Sequence, residues 1–285
     1  MSHLLSFENG VYRTAQQAVS PLARLLPSWS FHRRFISIVL KAGAQAKRGK
    51  YGDHEWSLSS LAVLRTLEKV GVRFEITGID HLRTPQSPCL VVGNHMSTLE
   101  TAVLPALIQP IRKVTFIIKE ALLEYPVFKY VMRTRDPIAV TQINPRVDLK
   151  RVMEQGPERL ARGFSLVVFP QGARREVFDS GQFNTIAVKL AQRTGVPIVP
   201  MALATDAWGI GRRFQDFGRI DPSKTVRFAF GEPIWVNGRG TDEHQAIVDF
   251  IQGHLRQWGA AEQHGPRRPF SGRTKRPAQR SGNAR

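Results

Sequence analysis

A single cysteine in 285 residues excludes a disulfide framework, so the fold must rest on a hydrophobic core. Long apolar runs are missing too. The best candidates, 22–29 and 35–46, are broken by Arg, Pro or Lys, which excludes a helix that spans a bilayer. No internal repeat is visible, and acids are scarce: 23 Asp+Glu stand against 41 Lys+Arg, for a formal charge of +18. With 42% apolar residues the chain is too hydrophobic for a disordered polycation, and its length fits one large domain or two small ones. The charge points to an anionic partner, whether nucleic acid, a membrane surface or a phosphorylated substrate.

That charge is unevenly placed. Residues 1–70 hold ten Lys/Arg and four Asp/Glu, residues 265–285 hold seven Lys/Arg and no acid, and the middle is left with only +5. The flanks are therefore expected to touch something anionic while the middle does the chemistry. The N-terminus lacks a basic start followed by an apolar run and a small-residue cleavage site, which predicts no signal peptide and a chain that stays in the cytosol. Its pattern predicts an amphipathic helical pair, 3–26 and 30–47, separated at Pro27, with Trp29, Phe31 and Phe35 beside Arg33, Arg34 and Lys41. Such a pair suits a membrane interface, and equally a hairpin packed on its own domain. Cys89, within an apolar run, reads as an inert buried thiol.

From residue 73 onward, short β-rich runs (73–78, 89–93, 114–118, 137–141, 164–169, 197–203, 226–231) alternate with helical stretches (99–108, 126–133, 147–161, 182–194). A last helix, 242–258, follows Thr241 as N-cap. This alternation predicts an α/β fold, a mostly parallel central sheet flanked by helices. The expected organisation is an N-terminal amphipathic helical region (1–70), an α/β domain (71–260) and a basic disordered tail (261–285).

Asn94 and His95 follow an apolar strand and precede a helix start, the place where open parallel sheets collect ligands. On one continuous helix His95 and Glu100 would lie about 140° apart, so they can meet only if the helix begins near Ser97. In that case Glu100 orients the imidazole, which takes a proton from a hydroxyl. Ser97-x-x-Glu100 also fits a capping box, in which the carboxylate has no catalytic task, and both readings stay open. The segment 167–176 ends a strand at Phe169 and turns through Pro170 and Gly172 into Arg174 and Arg175, a loop able to approach phosphate oxygens. The run 196–203 reads as core strand.

Taken in order, the Asn-His pair, the Lys119-bearing strand end, the FPQGAR loop and VPIVP resemble the 1-acyl-sn-glycerol-3-phosphate acyltransferase family, over about residues 73–255. The resemblance implies an O-acyltransferase that moves an acyl group from an acyl thioester, of coenzyme A or acyl carrier protein, to a lysophospholipid, foremost lysophosphatidic acid. Glycerol 3-phosphate or another lysolipid is the alternative acceptor. It implies that His95 and Glu100 are catalytic and that Arg174, Lys119, Gly172 and Arg175 bind the acceptor's phosphate. It also implies that the N-terminal pair docks peripherally on an anionic, cytoplasmic-face membrane, and that no cofactor or metal takes part. Four departures stand out, and in three of them Glu100 replaces Asp, Gln171 replaces Glu and Ala173 replaces Thr. Gln142 stands where an Arg is usual, with Arg135 or Arg146 as substitutes. With no nucleophile-elbow serine, transfer is expected to be direct, without an acyl-enzyme. The scattered histidines argue against a metal site. Nucleic acid is not expected as a partner; a basic protein binding nucleic acid or lipid without catalysis is the rival reading.

Overall fold

The computed structural model describes residues 5–125, 128–260 and 262–263. In chain order its elements are β1 (Tyr12–Arg13), α1 (Pro21–Leu25), α2 (Pro27–Lys47), α3 (Asp53–Lys69), β2 (Arg73–Thr77), β3 (Leu90–Gly93), α4 (Thr98–Ile108), β4 (Val114–Lys119), α5 (Lys129–Arg133), β5 (Ile138–Val140), α6 (Pro145–Ala161), β6 (Ser165–Val168), β7 (Phe178–Asp179), α7 (Ile186–Thr194), β8 (Ile198–Ala204), β9 (Thr225–Phe230), α8 (Thr241–Gln257) and β10 (Glu262–Gln263).

Strands β3, β6 and β8 are buried along their whole length, as expected of apolar runs covered on both faces. They form the middle of one sheet, ordered β1-β2-β9-β8-β3-β6-β4-β5. The five strands from β8 to β5 run parallel; the β8/β9 and β1/β2 pairs are antiparallel. The mostly parallel α/β architecture expected from the sequence is therefore the one observed. Side chains alternate across the sheet: Val91 joins Phe31, Leu64, Leu99 and Leu107 in a core under α2, α3 and α4, while Leu90 and Val92 join Val152, Leu190 and Ile251 in a second core under α6, α7 and α8.

The N-terminus departs from the sequence expectation. The helix expected over 3–26 is reduced to α1, capped by the Ser20 side chain with Pro21 in its first turn, and residues 1–4 lie outside the described residues. Ahead of it Asn9 and Gly10 turn the chain in the left-handed region, and β1 adds an edge strand to β2. Buried Glu68 holds that strand by accepting from the Tyr12 and Thr14 hydroxyls at 2.5 and 2.7 Å and pairing with Arg65. Helix α2 begins at Pro27 rather than 30. Helix α3 is not among the sequence expectations, although Trp56, Ser60, Val63, Leu64 and Leu67 form its buried stripe. Thr241 is the first residue of α8 and Gly240 its N-cap, with a left-handed backbone. The 126–133 helix is observed only as α5, residues 126–127 lying outside the described residues. The basic tail, Glu262 and Gln263 apart, also lies outside them.

Candidate active site

Because β8, β3, β6, β4 and β5 run parallel, their carboxyl ends share one edge of the sheet. His95 leaves β3 there, the Phe169–Arg175 loop leaves β6, Lys119 ends β4, and Gln142 follows β5. A Cβ on Gly93 would stand 2.7 Å from the Met201 carbonyl, so only glycine lets β3 and β8 approach this closely. The next residue, buried Asn94, clamps both strands: its side chain donates to the Leu203 carbonyl and accepts from the Leu203 N–H, each at 2.9 Å.

The chain then turns so that Ser97 caps α4, and Glu100 falls beneath His95. Glu100 is fully buried. One oxygen accepts from His95 Nδ1 at 2.8 Å, Met96 N–H at 2.6 Å and Ser97 N–H at 2.9 Å. The other accepts from the Thr205 and Ser97 hydroxyls at 2.6 and 3.0 Å. Capping and histidine contact are thus one arrangement rather than alternatives, and the extra methylene of Glu relative to Asp is accommodated without lengthening the bond to His95. Burial alone would raise the carboxyl's pKa, but the hydrogen bond and charge of His95, with those of Thr205 and Ser97, outweigh it and hold Glu100 below the ordinary carboxylate range. A carboxylate only accepts, so Nδ1 carries a proton, and in the neutral form of the ring the lone pair lies on Nε2. Nε2 has no hydrogen-bond partner among the described residues.

Three further contacts fix the histidine. Its ring stacks on Phe169, centroids 4.3 Å apart and planes 14° apart. Its backbone N–H donates to Gln171 Oε1 at 2.9 Å, and its carbonyl accepts from the Arg175 N–H at 2.8 Å. The β6 loop is thereby bonded on both sides of His95. The Gln171 amide nitrogen is buried without a hydrogen-bond partner among the described residues. Gly172 turns the loop with φ +72°, and its carbonyl accepts from the side chain of Gln142, itself left-handed at φ 59°.

The phosphate-binding residues implied by the resemblance are placed as follows. Arg174 is mostly buried and engaged: Nη1 donates to Asp216 Oδ1 at 2.7 Å and to Thr98 Oγ1, and Nη2 to Gln215 Oε1 at 3.1 Å. Lys119 is exposed at the same edge, two strands from His95, and has no hydrogen bond or ion pair among the described residues. The Arg175 side chain is exposed. Arg135 is no substitute for the missing arginine, since it is buried against Trp56, paired with Asp53 at 2.8 Å and donating to the Tyr51 carbonyl. Arg146 sits in the first turn of α6, beyond the Gln142 turn. Cys89 lies at the opposite end of β3 from His95, and burial pushes its thiol up.

Sequence reasoning missed Thr205, Asp216 and Gln215. Thr205 carried one signal, a hydroxyl directly after the buried β8; for the other two, no sequence signal ties them to Arg174. A cation-bearing apolar face also runs from α1 along α2, where Leu25 is 78%, Trp29 53% and Leu40 58% exposed and Arg24, Arg33, Arg34 and Lys41 lie on the same two helices. Among the described residues no helix is long and apolar enough to cross a membrane.

Residues 73–204 match the Acyltransferase family. A 1-acyl-sn-glycerol-3-phosphate acyltransferase of Pseudomonas aeruginosa is 27% identical over 79% of this chain and 80% of its own length. A chloroplastic protein of the same name from Brassica napus is 34% identical over 45% of this chain and 36% of its own. Among solved structures, the 1-acyl-sn-glycerophosphate (LPA) acyltransferase PlsC of Thermotoga maritima shares the fold, with TM-score 0.57 and 18% identity, covering 83% of this chain and 97% of that one.

Proposed function

Because the chain belongs to the 1-acyl-sn-glycerol-3-phosphate acyltransferase family, we propose that it transfers a fatty acyl group from a thioester to the free hydroxyl of lysophosphatidic acid, giving phosphatidic acid. The observation that carries this reading is the Glu100–His95 pair, whose unpartnered Nε2 stands at the sheet edge beside the Phe169–Arg175 loop. Nε2 takes the proton of the acceptor hydroxyl as its oxygen attacks the thioester carbonyl. Glu100 stabilises the imidazolium so formed, and the imidazolium returns the proton to the departing thiolate. The bonds made and broken are one ester and one thioester, and no acyl-enzyme is needed. Much of the acceleration comes from holding two substrates together.

Arg174 and the exposed Lys119 bind the acceptor's phosphate, with the Gly172 turn and Arg175 completing the loop around it. The thioester is that of coenzyme A or acyl carrier protein. Residues 1–70 act as the docking region, 71–260 as the catalytic body and 261–285 as a basic tail. The apolar and cationic face of α1 and α2 supports peripheral attachment to an anionic leaflet on the cytoplasmic side, where cations contribute up to about 1 kcal/mol each.

The test is to incubate the purified protein with lysophosphatidic acid or glycerol 3-phosphate and each thioester, and to identify products by mass spectrometry. Phosphatidic acid is the expected product. His95→Ala is expected to abolish it, and a His95→Ala protein with wild-type turnover refutes the base. For Arg174→Ala the KM for lysophosphatidic acid should rise while kcat changes little; an unchanged KM refutes the phosphate role.

A further inference from the structure

The loop between β8 and β9 does two things at once. Its base is closed by bonding between Trp208 and Ile220 and by the Gly209 N–H on the Arg219 carbonyl; its tip is tightened by Gly211 N–H on Gln215 and Phe217 N–H on Phe214. At that tip Arg212 and Arg213 are exposed, neither has an ion-pair partner among the described residues, and Phe214 beside them is 65% exposed. An aromatic ring flanked by free cations is the composition that lies among anionic headgroups. The base is bonded to the start of α2: Ser28 Oγ accepts from the Ile220 N–H at 2.9 Å, His32 Nε2 donates to the Gly218 carbonyl at 2.8 Å, and Phe217 lies against His32 with centroids 5.4 Å apart. The base of the loop is thereby anchored to the first turns of α2, the part of the helix that carries the exposed Trp29.

Between tip and base sits Asp216, on Arg174. A phosphate brought to Arg174 Nη1 would meet a carboxylate 2.7 Å from the same nitrogen, and two anions crowded on one guanidinium edge repel. Thr98, in the first turn of α4, is bonded to both, so this contact also borders the helix that carries Glu100.

We propose that residues 211–217 form a second bilayer contact, selective for anionic headgroups, whose engagement draws Asp216 off Arg174 and so admits the acceptor's phosphate. The gating half rests on the phosphate role of Arg174; the contact half does not.

The experiment uses the full chain with vesicles of phosphatidylcholine alone or mixed with phosphatidylglycerol, and with a short-chain lysophosphatidic acid that is monodisperse without vesicles. Each cation near an anionic leaflet strengthens binding about fivefold, so an Arg212→Gln, Arg213→Gln, Phe214→Ser variant should co-sediment up to about thirtyfold less with mixed vesicles. It should keep wild-type kcat/KM on the monodisperse acceptor, which also shows that it is folded. Asp216→Asn should lower the KM for the monodisperse acceptor and blunt further stimulation by mixed vesicles. A tip variant that sediments with mixed vesicles as tightly as wild type overturns the contact. An Asp216→Asn protein with a raised KM overturns the gate, because the carboxylate then orients Arg174 instead of blocking it. If Arg174→Ala leaves KM unchanged, the phosphate role and the gate fall together, and the sedimentation result still judges the contact.

Discussion

Glu100→Gln separates the two tasks that meet on one side chain. The amide can keep Oε1 toward His95 Nδ1 and the Met96 and Ser97 N–H groups, and can turn its NH2 toward the Ser97 and Thr205 hydroxyls, which can accept as well as donate. The helix cap therefore survives. What disappears is the negative charge facing the imidazolium that forms as the acceptor hydroxyl is deprotonated. Charges about 4 Å apart attract by about 4 kcal/mol at an effective dielectric constant near 20, and a neutral acceptor retains roughly half of that. The transition state loses about 2 kcal/mol, which is about thirtyfold in kcat. Thiol release from acyl coenzyme A, read with excess lysophosphatidic acid, measures this directly, and thermal melting checks that the variant is folded. A folded Glu100→Gln protein with wild-type kcat would mean that the carboxylate only caps α4.

Further outcomes follow from the same network. Glu100 has its folded pKa below the unfolded value, so its contribution is complete above the ordinary glutamate pKa of about 4.3 and is lost as pH falls through the folded value. Acid unfolding should be shallower in Glu100→Gln, and identical acid limbs would contradict the depressed pKa. Thr205→Val removes the 2.6 Å hydroxyl bond and leaves a buried carboxylate oxygen short of a donor, for about 1–3 kcal/mol of stability by denaturant unfolding. A loss under about 0.5 kcal/mol would show that Ser97 compensates.

The α/β body is readable in the sequence because β3, β6 and β8 are unbroken apolar runs buried on both faces, and burial of that kind is local information. The Asn94–His95 step and the Phe169–Arg175 loop are readable because strand ends carry them to one edge. The partners that give those residues their properties are not: Thr205 reaches Glu100 from 105 positions away and Asp216 reaches Arg174 from 42. The N-terminal misreading has the same origin. Residues 12–13 have a helical neighbourhood in sequence, yet Glu68 and the free edge of β2, both remote, hold them extended.

The thiol of Cys89 is fully buried beneath the sheet, within 3.8 Å of Ser165 Oγ, and its pKa is raised. A maleimide probe is therefore expected to leave the native fold unlabelled. A cysteine installed at Phe214 or Leu40 would take up a fluorophore alone, and the emission of that dye would follow each face onto a vesicle in real time. Conversely, any modification of the native cysteine reports opening of the sheet itself.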